Sequence, residues 1–450
     1  MNQSLDQFEG TQKFDALIWD YPKNIPKRIK IQITLTKNQQ VTYSRDGQVL
    51  RIDQIKDTTT DIQQNLTNLE QLQHLEWSGI YGENNQKIGI WKTIWKGQTL
   101  NNVGGWYSDV GKKLGLWKLL IHNYWSQAQA FQSGEYSNDE KIGAWKYIYD
   151  KKKIGGGLYN QLGFKNGKWI ELSDGFSSQS QVILEGEYKN GKKIGIWDIF
   201  CRNDKRKPFK QIGGGSYDID GMKIGRWIDF SDEFYIETYV TYNGEYKNGK
   251  KIGKWDIKYS QPHLNEVHQI FSGGGSYDEG CKNGNWIEMD DKFNYFRQQT
   301  HNGEYKNGKK VGRWDNYQNY CGKNKKIGGG SYDEGCGGMK IGQWIVVDDE
   351  NQQITHIGEY KNDKKIGRWK ILYQDKSTQD TKQIGGGLYN EEGEEEKIGY
   401  WTEQCGDFQN GMFSQQITNN GEYKNGKKVG VWVKININTN ERLKEINYDN

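Results

Sequence analysis

From Val240 to Lys247 the chain alternates: Val240, Tyr242, Gly244 and Tyr246 fall on one side, Thr241, Asn243 and Glu245 on the other. After Asn248-Gly249, a strong turn signal, Gly253, Trp255, Ile257 and Tyr259 share one side, opposite Lys254, Asp256 and Lys258. A period of two on both flanks of such a turn predicts a β-hairpin with one aromatic face and one solvated face. Nearly the same letters return at 185–198, 302–315 and 420–433. The constant core is Gly-x-aromatic, a spacer, then Gly-x-Trp. Its first copy uses Gly79, Tyr81, Gly89 and Trp91. The terminal tryptophans are 91, 117, 145, 169, 197, 227, 255, 286, 314, 344, 369, 401 and 432, which defines thirteen hairpins. Their mean step of about 28 residues lies in the range of repeat arrays. Two flavours mostly alternate. GEYKNGKKxGxW ends at Trp197, Trp255, Trp314, Trp369 and Trp432, with a degenerate copy at Trp145. GG(G)xY…GxW ends at Trp117, Trp169, Trp227, Trp286, Trp344 and Trp401.

The glycines and rings stay in step, which asks for a reason. Glycine inside a strand leaves backbone bare and weakens it, and a large ring on the facing strand can cover it. The expected register sets Tyr246 opposite Gly253 and Gly244 opposite Trp255, with the turn at Gly249-Lys250 or as a four-residue tip. Spacer length varies only between the Tyr and the next Gly, where a hairpin tip tolerates change. The GGG runs (213–215, 273–275, 328–330, 385–387) open strands and read as bulges or close backbone approaches.

Outside the array the divisions are coarser. Residues 1–13 are expected to lack order. Residues 14–57 form a small β region, with Ile29, Ile31, Ile33 and Leu35 alternating along Arg28–Leu35 and a hairpin from Val41 to Ile52 around Asp46-Gly47. Ile62, Leu66, Leu69, Leu72 and Leu75 recur at helical spacing, predicting a helix within 58–77 that caps an array spanning 78–435. Residues 436–450 are a polar tail expected to fray.

Composition narrows the class. The 450 residues include 57 Gly, 18 Trp and 28 Tyr, but only 34% are hydrophobic and the mean hydropathy is -0.98. That is too little aliphatic material for an ordinary globular core and too much aromatic for a disordered chain. A net charge of +4 from 62 basic and 58 acidic residues gives no footprint for nucleic acid. Five cysteines without a CxxC pair, and no basic-then-apolar leader or long apolar run, point to a cytoplasmic protein.

Little chemistry stands out. Gly244–Lys251 imitates a phosphate-binding GxxxxGK loop, but Lys stands where Ser or Thr would reach Mg²⁺, and no helix follows. The histidines (74, 122, 263, 268, 301, 356) lack metal-ligand spacing. No catalytic, cofactor or metal residues are expected. The candidate binding surface is the aromatic row, Trp197, Trp227, Trp255, Trp286, Trp314, Trp344, Trp369, Trp401 and Trp432, which one exposed sheet face would present as an apolar strip. Tip charges alternate, with Lys247, Lys250 and Lys251 following Asp218 and Asp220, so neighbouring tips attract and wrong registers are penalised.

The segment GEYKNGKKIGKW resembles the MORN repeat, in its antitoxin-type variant, and its alternation with GGGSYDEG…KIGxWI is similar to a repeat family expanded in ciliates. The resemblance covers about 79–435, and NLEQLQHLEWSGIYG fits that family's entry into its array. It implies an all-β, elongated, twisted, single-layer antiparallel sheet of successive hairpins, about 125 Å along its axis at 4.8 Å per strand. It also implies a non-enzymatic scaffold with protein partners, cytoskeletal or ciliary. A peripheral membrane module acting on phospholipid is the alternative, which tips of alternating sign disfavour.

Overall fold

The structure is a computed structural model. It describes residues 10–20, 25–36, 40–54, 68–202, 204–231, 239–261, 268–290, 293, 297–320, 323–335, 337–348, 351–375, 380–404 and 417–448. Among these it contains 31 strands and one helix. Strands β1 (Gly10–Asp20), β2 (Ile25–Leu35), β3 (Gln40–Arg45) and β4 (Gln48–Gln54) form a separate antiparallel sheet in chain order. The turn between β3 and β4 falls at Asp46-Gly47 as expected, with φ of 49° and 82°. Two positive values match the twist of a hairpin.

Two expectations need correction here. Gly10 to Lys13 are not unordered: they pair with Leu35 to Gln32, and the Thr11 and Thr34 hydroxyls lie 2.8 Å apart. This stretch reads as polar because it starts a strand whose apolar anchors, Phe14 and Ala16, come later. The helix α1 is only Leu69–His74, and the expected positions Ile62 and Leu66 lie outside the described residues. Asn68 caps it by accepting from the Gln71 amide at 2.9 Å. Leu75, assigned to the helix by its spacing, instead opens a strand, Leu75–Tyr81, and packs beside Trp95. Leu69 and Leu72 join Ile31, Ile33, Val41 and Tyr43 in a core against the four-stranded sheet.

The chain divides into two bodies: residues 1–250 with 259–268, and 251–258 with 269–450. In the first body the strands from Leu75–Tyr81 to Tyr239–Lys247 pair antiparallel in chain order; in the second, the strands from Cys281–Met289 to Glu441–Tyr448 form an antiparallel sheet, also in chain order. The expected frayed tail is its last strand. Tyr448 sits opposite Gly430, and its ring packs edge-on against Trp432 at 6.3 Å. Polar composition hid this strand because only its tyrosine is shared with the repeat.

Each hairpin is built alike. In the Trp197 hairpin, strands Gln181–Lys189 and Lys192–Arg202 meet at Asn190-Gly191, with φ of 48° and 81°. Tyr188 faces Lys193, not the glycine of Gly-x-Trp. The predicted Tyr–Gly pairing does occur, but between hairpins: Gly195 faces Tyr217 and Trp197 faces Gly215 across the next ladder. The shift arises because Gly195 adopts φ +63° beside a bulge, between Glu185 and Glu187, that skips Gly186. A Cβ on Gly195 would meet open space, so that glycine serves its backbone angle. Gly186 serves contact, since a Cβ there would sit inside 3.0 Å of the Trp197 indole. The middle glycine of each GGG run serves a third need. At Gly214, φ is +138° and a Cβ would meet the Trp197 carbonyl oxygen, the close approach expected from sequence.

Candidate functional site

The tryptophans lie flat on bare backbone. Trp145, Trp169, Trp197, Trp227, Trp314 and Trp369 each cover the Gly-x-Tyr glycine of their own hairpin. At the bulge the indole N–H donates to the next carbonyl, as Trp197 does to Glu187 at 3.2 Å and Trp169 to Leu158 at 3.0 Å. Tyrosines stand edge-on on both sides: Tyr188–Trp197 at 5.2 Å and 89°, Trp197–Tyr217 at 6.1 Å and 82°. In the first body this ladder runs through Tyr136, Trp145, Tyr159, Trp169, Tyr188, Trp197, Tyr217, Trp227 and Tyr246. In the second it runs from Trp255 to Tyr448 with the same alternation. Edge-to-face pairs contribute roughly 0.5–1.5 kcal/mol each beyond burial.

All nine candidate residues, Trp197, Trp227, Trp255, Trp286, Trp314, Trp344, Trp369, Trp401 and Trp432, are only 1–5% exposed. The expected exposed apolar strip is therefore absent. Glycine lets each ring sink onto its sheet, and a lysine closes over it.

That lysine stands four residues before each tryptophan. Lys193 Nζ is 4.0 Å from the Trp197 ring centroid and 5.9 Å from Tyr217; Lys165 is 4.8 Å from Trp169 and 5.1 Å from Tyr188. Half-buried ammonium groups over ring faces gain cation–π attraction but lose hydration. In four GGG-type hairpins an acid two residues after the tryptophan compensates. Glu171 pairs with Lys165, with Lys193 at 2.9 Å, and accepts from the Tyr188 hydroxyl at 2.8 Å. Glu288 does the same with Lys282, Lys310 (3.1 Å) and Tyr305 (2.9 Å). Glu403 repeats it with Lys397, Lys428 (2.9 Å) and Tyr423 (2.8 Å), and Asp229 holds Lys223 and the Tyr246 hydroxyl. Burial opposes the charge on Glu171, Glu288 and Glu403, yet the paired lysines hold all three below the usual carboxylate range. Burial, and the carboxylate each hydroxyl faces, push Tyr188, Tyr305 and Tyr423 well up.

Sequence reasoning missed this layer. Its partners are 6 positions apart on one strand and 22 or 25 apart on neighbouring hairpins; the available signal was an acid two residues past the tryptophan in one repeat flavour. Of the tip charges it emphasised, Lys251 belongs to the row, 4.2 Å from the Trp255 ring centroid; contacts between tips, such as Lys192–Asp220 at 3.2 Å and Lys364–Glu394 at 3.8 Å, are exposed and contribute little.

Two cavities accompany the row. One, of about 620 Å³, has Ile154, Ile170, Ile183 and Phe209 in its walls, with the Arg202 guanidinium 4.4 Å from the Phe209 ring. The other, of about 250 Å³, holds His301 between Asn316 (2.7 Å) and Asp290 (3.1 Å). Burial works against the His301 charge, but the Asp290 and Asn316 bonds raise its pKa overall. Among the described residues neither lining includes a serine, threonine or cysteine to act as nucleophile. Among the described residues no helix is long and apolar enough to cross a membrane.

No family model matches the chain, and no curated protein matches it. Solved structures similar to it include a protein from Lactobacillus plantarum, 8% identical over 84% of this chain and 96% of that one, TM-score 0.19. Another is the periplasmic gluconolactonase of Pseudomonas aeruginosa, 9% identical over 78% and 92%, TM-score 0.19. Scores this low carry no argument about fold or activity.

Proposed function

We propose that this chain is a non-enzymatic scaffold of the MORN-like kind, whose hairpins form an elongated single-layer array that presents long surfaces to protein partners, in a cytoplasmic, cytoskeletal or ciliary setting. One observation carries the reading: the same ring-and-lysine surface is rebuilt hairpin after hairpin, joined by a carboxylate after Trp169, Trp227, Trp286 and Trp401. A surface repeated at fixed intervals suits an extended partner better than a single small substrate. In-cell lysine crosslinking of a tagged full-length chain tests it. The expected result is crosslinks from the lysine row to one recurrent protein. Crosslinks confined to this chain, or a cofactor copurifying in stoichiometric amount, would overturn it. Salt-sensitive flotation with anionic vesicles would favour the peripheral membrane reading instead.

A further inference from the structure

The lysine row has two gaps. Leu119 stands two residues after Trp117 and Val346 two residues after Trp344, where Glu171, Asp229, Glu288 and Glu403 stand after their tryptophans. The surrounding register is unchanged. Trp117 faces Gly134 and Gly115 faces Tyr136, Trp344 faces Gly358 and Gly342 faces Tyr360, just as Trp169 faces Gly186 and Gly167 faces Tyr188. The donors are still in place. Lys113 lies 5.5 Å from the Trp117 ring and 5.2 Å from Tyr136, and Lys141 lies 4.3 Å from Trp145. Lys340 lies 4.8 Å from Trp344 and 5.1 Å from Tyr360, and Lys365 lies 4.8 Å from Trp369. Among the described residues no carboxylate forms an ion pair with any of these four lysines, although Asp139 lies near enough to Lys113, Asp363 to Lys340 and Glu395 to both Lys340 and Lys365 to favour their charge; Lys141 donates to the Gln132 side-chain oxygen at 2.8 Å.

We propose that each gap is a carboxylate-binding site, in which an aspartate or glutamate of an acidic partner segment takes the place that Glu171 fills from within the chain. By the shared register, two lysines and a tyrosine stand there at the positions whose ammonium and hydroxyl groups hold Glu171. The lysines bear the mark of the missing anion. Burial, with the neighbouring Lys165 and Lys113, pulls Lys141 down to about 8, and burial pulls Lys113, Lys340 and Lys365 down against the opposing pull of Asp139, Asp363 and Glu395. In the second body Lys340 and Val346 also line the 250 Å³ cavity, which Arg297, His301 and Lys310 share with the single acid Asp290. The proposal rests on the scaffold reading and names the chemistry of its partner.

The test uses the full chain and two fluorescent probes, hexaglutamate and hexaglutamine, read by anisotropy, with acylation of Lys141 followed by mass spectrometry. The expected result is binding of hexaglutamate alone, with Lys141 protected by it. Leu119→Glu together with Val346→Glu should fill both sites from within and weaken hexaglutamate binding on the order of tenfold, about 1.4 kcal/mol. Should that variant fail to fold, Glu171→Leu gives the converse: it opens a third site and raises the bound peptide per chain. Unchanged affinity in the filled variant, protection of tip lysines such as Lys192 in place of Lys141, or protection by inorganic phosphate but not by hexaglutamate would overturn the proposal. If hexaglutamate fails to bind while in-cell crosslinks to a partner persist, the carboxylate sites fall and the scaffold reading stands. If hexaglutamate binds and the crosslinks are absent, the scaffold reading falls and the sites stand.

Discussion

Glycine 186 and glycine 195 occupy the same hairpin for different physical reasons, and substitution should separate them. Gly186→Ala drives a methyl group into the Trp197 indole, which has nowhere to go because Tyr188 and Tyr217 flank it. A loss of about 3 kcal/mol is expected, at the upper end for overpacking. Gly195→Ala meets no atom but must hold φ +63°, a strain of roughly 1–2 kcal/mol. Gly195→Asn should recover most of that loss, because asparagine tolerates the left-handed region; Asn190 already adopts it at the tip, with φ 48°. Urea midpoints of the three variants should fall in the order Gly186→Ala lowest, then Gly195→Ala, then Gly195→Asn. Equal midpoints for the first two would remove the distinction between a glycine kept for contact and one kept for its angle.

At the scale of the hairpin, the buried charges give stability a pH profile whose sign can be worked out. Glu171, Glu288 and Glu403 have folded values below the unfolded one, so their contribution is present above the unfolded carboxylate range and is lost as pH falls through the folded values. Lys141 is lowered to about 8, so between there and the ordinary lysine range the unfolded chain binds more protons and stability rises with pH. Tyr159, Tyr217 and Tyr332 are pushed by burial up to about 12. Above the ordinary tyrosine value the unfolded chain sheds protons that the fold retains, and stability falls. Urea midpoints taken across this range should rise from acid to mildly alkaline pH and then drop; a flat profile would show that these groups are solvated. Glu171→Gln should make the acid limb shallower and lower stability at neutral pH by about 1–3 kcal/mol, read as a lower urea midpoint, for a buried cation left without its anion. The hairpins themselves were legible, since Asn-Gly turns and period-two alternation are local signals. Ring-on-glycine packing was also legible. Its ladder was not, because a positive φ at Gly195 moves the Tyr–Gly pair from within a hairpin to between hairpins. Leu75 misled for a related reason: Leu69, Leu72 and Leu75 fit a helical stripe, yet Trp95 draws the last of them into a strand. The lysine–carboxylate layer depends on contacts between hairpins, which no local pattern displays.

Across the whole molecule, repetition means that a pair of hairpins should be removable where the seam rejoins like to like. Deleting residues 303–357 joins Asn302 to Gly358. Trp286 faces Gly303 as Trp344 faces Gly358, and Gly284 faces Tyr305 as Gly342 faces Tyr360, so the new ladder keeps both pairings. The shortened chain is expected to fold, with a smaller unfolding enthalpy and unchanged ring signals in near-ultraviolet circular dichroism, because each hairpin depends on its neighbours and not on a shared central core. The seam also makes a chemical prediction. Glu288, which now holds Lys282, Lys310 and Tyr305, would face Lys365 and Tyr360, two donors of the site that Val346 leaves without an acid. Lys365 should then lose its depressed pKa and become slower to acylate at pH 8 than in the intact chain. Nuclear magnetic resonance of labelled lysines can read that shift directly. If the deletion folds and Lys365 remains depressed, an acid two residues past the tryptophan does not set the charge of the next lysine in the row. If it does not fold, the hairpins are not interchangeable, and the array draws on contacts that differ from one pair to the next.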